Sequence, residues 1–408
     1  MHTEGLNFSG APLYSLPWYF LIPLLAAGAL LGLARAGAGR VGGGWVLRRL
    51  AVAAFFCAGV GAAALLMFLG DDPSTATMFA IALLFYGLLF FNPVVELTSL
   101  VRGRDRPATR TGQALWGAAN ILLLAVAAYS WLIEPYRIQV SRHRLMIPGA
   151  PSLRLVQLSD IQAEYPSRRE RDAARIVNRL EPDLVVVTGD NYTGTRRHQA
   201  AGAEAALKLL RGLRTRRGIY GISGSSSPAG EDAAFFAEAG AAYLNNDSVL
   251  IEDGDKSLVL AGLDYLRPDP GRALAGYEGR PSIVLYHSPS LAFDAGGGPH
   301  RWSEALPTHF SRTPRPNSEL AELGVKLLLT GHTHGGQVRF PGFGALLTGT
   351  TLGNDYVAGL HEVGGFTLYI NRGLGMDGRF APKIRFLCPP EITLFEINPR
   401  GTDREDSG

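Results

Sequence analysis

The sequence predicts an α/β-layered domain with substantial parallel character, preceded by a membrane segment of four spans. Three observations carry that prediction. Four apolar stretches of bilayer-spanning length fall before residue 135. Beyond that point, short apolar runs alternate with segments of helical periodicity, the pattern of βα units. Several of those runs also end in a carboxylate, hydroxyl or imidazole, and layered α/β domains bind ligands beyond the carboxyl ends of their strands.

The membrane segment occupies residues 1–134, and its spans read as 16–33, 51–69, 78–97 and 114–133. Each approaches the roughly 20 apolar residues that a helix needs to cross hydrocarbon. The first lies too far inside the chain, and is followed too quickly by the others, for a cleaved signal peptide. Trp18, Tyr19, Trp116, Tyr129 and Trp131 fall near span ends, where amphipathic rings favour the interface. Arg35, Arg40, Arg48 and Arg49 follow the first span, and Arg102, Arg104, Arg106 and Arg110 follow the third. The N-terminal arm has no Lys or Arg, and the second loop carries Asp71 and Asp72. Positive loops stay inside, so the sequence predicts a multi-pass cell-membrane protein whose soluble domain is extracytoplasmic. Arg137, Arg142 and Arg144 after the last span reduce that contrast. Asn92-Pro93 and Glu96 within the third span read as a kink where that helix meets the headgroups, in preference to a functional polar site.

Composition excludes other classes. The formal charge is only +3, and no long basic run with interleaved aromatics offers a nucleic-acid surface. The two cysteines, Cys57 in an apolar stretch and Cys388 near the C-terminus, are not expected to pair. A transporter or channel would rest on the four spans alone.

Residues 135–152 read as a linker, extended from about 138. Strands follow at 153–158, 183–188 and 219–223, with helices at 168–180, 201–211 and near 231–239 between and after them. Further strands read at 249–251, 257–263, 282–286, 325–329, 366–370 and 392–397. The polar tail 398–408 reads as disordered. There is no internal repeat.

The chemistry collects at strand ends: Asp160, Asp190, Ser225, His287, and His332 with His334. Taken singly, an Asp after a strand is ordinarily a turn former, and a lone His is ordinarily a packed or surface residue. A His-x-His between glycines resists that explanation, and the arrival of all six at strand ends of one domain indicates a built site. Two carboxylates and three imidazoles form a mixed N/O donor set suited to Mn, Fe or Zn rather than Ca or Mg. One carboxylate between two ions would give a dinuclear centre, and ions about 4 Å apart clamp a phosphate and activate water.

The chain resembles the calcineurin-like metallophosphoesterases, in their membrane-anchored bacterial branch. The resemblance is carried by GHTHGGQ (331–337), VVVTGD (185–190), YHSP (286–289), NRGLG (371–375) and RFLCPPEITL (385–394). It implies a layered βαβ sandwich, two mixed sheets flanked by helices, over residues 153–397. It also implies one or two divalent metal ions. One would be held by Asp160, position 162, Asp190 and His334, the other by Asp190, position 225, His287 and His332, with Asp190 as the bridge.

Three positions depart from the family pattern. Gln162 stands where the family's Asp-x-His motif has its histidine, and Ser225-Ser226 stand where the family has Asn-His. A Gln amide oxygen is a weaker, harder donor than imidazole, and a serine hydroxyl is shorter than an Asn carbonyl. The lost histidine lies beside the scissile phosphate in the family; Ser226 is no cation near neutral pH, and losing a positioned acid costs on the order of 10²–10⁴ in rate. His198 is a candidate stand-in, against its ordinary reading as a loop histidine. Arg372 either faces the phosphate, as Ser226 would, or packs the strand end.

Two readings follow. The first is a membrane-anchored phosphoesterase hydrolysing phosphomonoesters or phosphodiesters, lipid-linked ones included, by metal-activated water at an atypical centre. The second is a pseudo-phosphoesterase that binds a ligand or partner without turnover.

Overall fold

The computed structural model describes residue 118 and residues 121–192, 196–225, 230–293, 315–350, 352–377 and 383–399, the side chains of 196–198 aside. The expected spans 16–33, 51–69 and 78–97, the start of 114–133, Ser226, the His198 side chain and residues 400–408 lie outside the described residues. The chain divides into two compact units, Met1–Trp131 with Gly378–Lys383, and Leu132–Asp377 with Ile384–Gly408. In the first, residues 121–128 are helical. Among the described residues, no helix is long and apolar enough to cross a membrane.

The second unit opens with a 3-10 turn at Glu134–Tyr136 and then alternates strands and helices. Strand β1 spans Gln139–Met146 and β2 Leu153–Leu158. Helix α1 (Arg168–Arg179) starts at a capping box: the Ser167 hydroxyl accepts from the first turn, and Glu170 reaches back to the Ser167 backbone. Then come β3 (Leu184–Val187), α2 (Arg196–Arg211), β4 (Ile219–Gly221), α3 (Asp232–Ala239) and β5 (Ala242–Tyr243). The second half holds β6 (Asp247–Asp253), β7 (Lys256–Gly262), α4 (Pro270–Leu274), β8 (Ser282–Leu285), α5 (Ser318–Glu322) and β9 (Val325–Thr330). A hairpin of β10 (Arg339–Phe340) and β11 (Gly344–Ala345) precedes β12 (Gly359–Val363), β13 (Phe366–Ile370) and β14 (Glu391–Asn398).

Two six-stranded mixed sheets result, ordered β1-β14-β2-β3-β4-β5 and β12-β13-β9-β8-β7-β6. β2 through β5 run parallel in the first, while β7, β8, β9 and β13 run parallel in the second. The two-residue period of a strand sends neighbours to opposite faces, and β3 shows the consequence. Leu184 and Val186 join Leu155, Leu260, Ile283, Leu327 and Phe395 in one core, while Val185 and Val187 pack with Ala173, Val177 and Leu209 of α1 and α2. The far face of the second sheet is covered separately, by residues that include Leu274 and Leu320 of α4 and α5. The domain is therefore helix, sheet, sheet, helix, with both sheets buried on two sides.

One expectation changes. Residues 139–146, read as part of a linker, are extended but form β1, an edge strand parallel to β14 with Gln139 opposite Glu391. Its residues are all exposed or half-buried, and no run of apolar side chains advertises a strand.

Candidate metal centre

Parallel strands deliver their carboxyl ends to one edge, and the predicted donors gather there. Asp160 and Gln162 follow β2, Asp190 follows β3, Ser225 follows β4, His287 follows β8, and His332 and His334 follow β9. Asp160, Asp190 and His287 are buried and offer ligand atoms all within 4.8 Å of one another, forming a candidate metal site. His334 Nε2 is 3.4 Å from Asp160 Oδ1, and His332 Nδ1 is 3.1 Å from His287 Nε2. Asp190 Oδ2 is the hub: it accepts from Gln162 Nε2 at 3.2 Å and Ser225 Oγ at 3.0 Å, with His287 Nε2 at 3.4 Å.

The backbone is bent to make this possible. Asp160, Gln162, Asp190, His332 and His334 all have φ between 38° and 72°, a left-handed region that non-glycine residues rarely enter and that clusters at functional sites. Glycine makes the close approaches. A Cβ on Gly331 would sit 1.9 Å from Ser159 Oγ and 2.2 Å from Asp160 Oδ2.

Surrounding groups orient the donors. Ser159 Oγ and the His332 N–H donate to the Asp160 carboxylate. The Thr188 carbonyl lies 2.8 Å from His287 Nδ1, which fixes that nitrogen as the donor and leaves Nε2 facing the cluster. Burial raises the Asp160 pKa to about 6, aided by Asp190 and opposed by His287. Burial alone would lower His287, but the Asp190 charge and hydrogen bond, with Asp160 and Thr188, raise it to about 9. Burial drives His334 well below its ordinary value, and the Arg385 charge adds to this, so it stands neutral.

The donor set fits a divalent cation. Gln162 Oε1 and His334 Nδ1 are buried without a hydrogen-bond partner among the described residues, and exchanging the Gln162 amide atoms would turn its oxygen to the hub.

Arg372 does not reach into the cluster as the sequence allowed; its guanidinium pairs with Glu391 Oε1 at 3.1 Å and Gln139 Oε1 at 3.2 Å. Sequence reasoning missed the groups that brace the site. Arg385 is fully buried and donates to the carbonyls of Arg372, Gly373, Gly375 and Cys388. The Cys388 thiol donates to the His334 carbonyl at 3.4 Å, and Glu134 accepts from the backbone N–H of Leu387 and Cys388 at 2.9 and 2.6 Å. Tyr265 stacks edge-on against His287 with centroids 5.4 Å apart. The only sequence signal for Arg385 and Cys388 was their place inside RFLCPPEITL.

Comparison with known proteins agrees with this architecture. The calcineurin-like phosphoesterase family profile matches residues 153–336. An uncharacterized metallophosphoesterase of Bacillus subtilis, YkuE, is 30% identical over 285 residues, 66% of this chain and 88% of that protein. The phosphodiesterase YaeI of Escherichia coli is 25% identical over 295 residues, 69% of this chain and 96% of that protein. A Bos taurus transmembrane protein with metallophosphoesterase domain is 30% identical over 265 residues, 59% of this chain, which spans about half (52%) of the bovine protein. With the profile covering the donors from Asp160 to His334 and a relative matched over most of its length, this chain belongs to the calcineurin-like metallophosphoesterase family.

Proposed function

We propose that the chain is a membrane-anchored, metal-dependent phosphoesterase acting on phosphomonoesters or phosphodiesters, lipid-linked ones in particular. The observation that carries this reading is the convergence of Asp160, Asp190 and His287 within 4.8 Å, all buried. Around them Gln162, Ser225, His332 and His334 complete two half-sites that share Asp190. Divalent cations bound there supply Lewis acidity toward a phosphoryl oxygen and lower the pKa of water. The chain's own residues hold the geometry. Asp190 lies between the half-sites, Asp160 is pinned by Ser159 and the His332 N–H, and His287 is fixed through Thr188. Arg372, committed to Glu391, serves the strand end rather than the phosphate.

The anchor rests on the four apolar stretches, on the outward charge pattern and on a relative whose name describes a transmembrane protein. An anchored site would meet esters at headgroup level, which supports the lipid-linked substrate.

One observation favours binding without turnover. Gln162 and Ser225, the two substituted donor positions, both pack against the same Asp190 oxygen, where a neutral amide and a hydroxyl replace stronger metal donors. The deciding experiment combines metal content of the purified protein with hydrolysis of an aryl phosphodiester in added Mn. Two bound ions, and turnover that Asp190→Ala abolishes, support the enzyme. One ion or none, with turnover appearing only after Gln162→His, Ser225→Asn and Ser226→His together, supports the pseudoenzyme. For topology, a reporter after Ile397 that is active only in the cytoplasm would overturn the outward placement.

A further inference from the structure

The second unit exposes several large apolar side chains that neighbouring backbone and ring contacts connect. Leu132 and Ile133 are 65% and 49% exposed, Leu387 47%, and Phe340 and Phe343 44% and 47%. These positions are distant in sequence but joined by backbone. The Leu387 N–H donates to Glu134 at 2.9 Å, which sets Leu387 beside the Leu132–Ile133 end. Phe386 is next: its N–H donates to Gln337, and its carbonyl accepts from Arg339 at 2.9 Å. The Phe386 ring lies 5.9 Å from the Phe340 ring, and the Phe343 N–H closes the hairpin tip on the Phe340 carbonyl at 3.2 Å. Residues 340–343, Phe-Pro-Gly-Phe, are all exposed.

Solvated proteins rarely show such a strip unless something covers it. What covers it is indicated by the chain that precedes it. Leu132 and Ile133 are the last residues of an apolar stretch, 114–133, of bilayer-spanning length. Glu134, the next residue, is 2% exposed and already fixed to the backbone of Leu387 and Cys388. The apolar stretch therefore ends one residue before the domain's hydrogen-bonded backbone begins. Arg137, exposed, and Arg339 of β10 add cationic groups near the strip, and anionic headgroups attract such groups.

We propose that the strip formed by Leu132–Ile133, Phe386–Leu387 and the Phe340–Phe343 hairpin tip is a membrane-contact surface, seated in the headgroup layer of a lipid bilayer. The inference rests on the membrane-anchored reading above and adds a defined face to it. It also fixes where the metal centre stands. The hairpin rises directly from the loop that carries His334, six residues before Phe340, so the centre lies within roughly 20 Å of the headgroups at about 3.3 Å per extended residue.

The test uses the full chain in vesicles of phosphatidylcholine and phosphatidylglycerol. Phe343→Cys and, separately, Phe340→Cys carry a nitroxide in a Cys57→Ser background, in which the buried Cys388 stays unlabelled. Leu266→Cys, at a position 59% exposed, is the reference. The expected result is an oxygen-to-nickel-chelate accessibility ratio several-fold higher at both hairpin positions than at residue 266. Equal ratios in a chain that floats with the vesicles would overturn the surface and leave the anchor standing. Low accessibility to both relaxants would mark a protein contact and would also overturn it. A chain that does not float would overturn anchor and surface together.

Discussion

Asp190 holds the candidate centre together electrostatically before any ion arrives, and Asp190→Asn tests that directly. The substitution keeps the shape of the side chain and removes its charge. In the metal-free protein, His287 is fully buried, and its largest single influence is burial, which lowers its pKa; the Asp190 charge and hydrogen bond are what reverse this and raise it to about 9. With Asn at 190, only Asp160 and the Thr188 carbonyl oppose burial, so His287 is expected to titrate below its ordinary 6.5. A fall from about 9 to below 6.5 is worth over about 3 kcal/mol, at 1.36 kcal/mol per pKa unit. The assay is a histidine-selective NMR titration of the metal-free protein between pH 5 and about pH 10, paired with calorimetric titration by Mn. Loss of Mn binding should accompany the fall, because the anionic carboxylate proposed as the bridge between the two half-sites becomes a neutral amide. If His287 in the variant still titrates near 9, another group holds its proton and the hub assignment fails.

Other predictions follow from the same geometry. The raised pKa of His287 makes its contribution to metal-free stability full below about pH 6.5 and lost as pH climbs through about 9; Asp160, raised to about 6, likewise loses its contribution on the way from 3.8 to 6. Thermal melts of metal-free protein should therefore weaken from pH 5 to about pH 9, while Mn affinity rises over the same range as the donors shed protons; a flat affinity would contradict the assignment. Glu134→Ala leaves two N–H groups without their acceptor, which costs about 2–6 kcal/mol at ~1–3 kcal/mol per buried donor. Denaturant titration should show that loss, with Glu134→Gln recovering part of it. Gly331→Ala must displace Asp160 or Ser159, since its Cβ would fall 2.2 and 1.9 Å from their oxygens. Calorimetry should find Mn binding lost while circular dichroism keeps its sheet signal, and retained Mn binding would show that the loop yields instead.

The donors were legible because β-strands announce themselves locally. Four or five apolar residues ending in Asp, Ser or His predict both a buried strand and a polar group at its end, and Asp160, Asp190, His287, His332 and His334 each follow such a run. Parallel βα succession then brings those ends to one edge without any need to know the pairings. β1 was not legible, because Gln139–Met146 lacks an apolar run and pairs with β14, some 250 residues away. Nor was Arg385. An arginine near two prolines reads as a surface residue, and only the fold assembles four loop carbonyls around it in place of water.

By itself, then, the sequence pointed to the family, the layered α/β class and the candidate donors, since these depend on residue type and short-range periodicity. The tertiary structure alone decided how those donors are held. Left-handed backbone at five of them, Glu391 capturing Arg372, and Glu134 clamping the turn beneath His334 all depend on groups far apart in the chain. Contacts of that kind carry no local signature, because each exists only once both sheets have closed around the shared core.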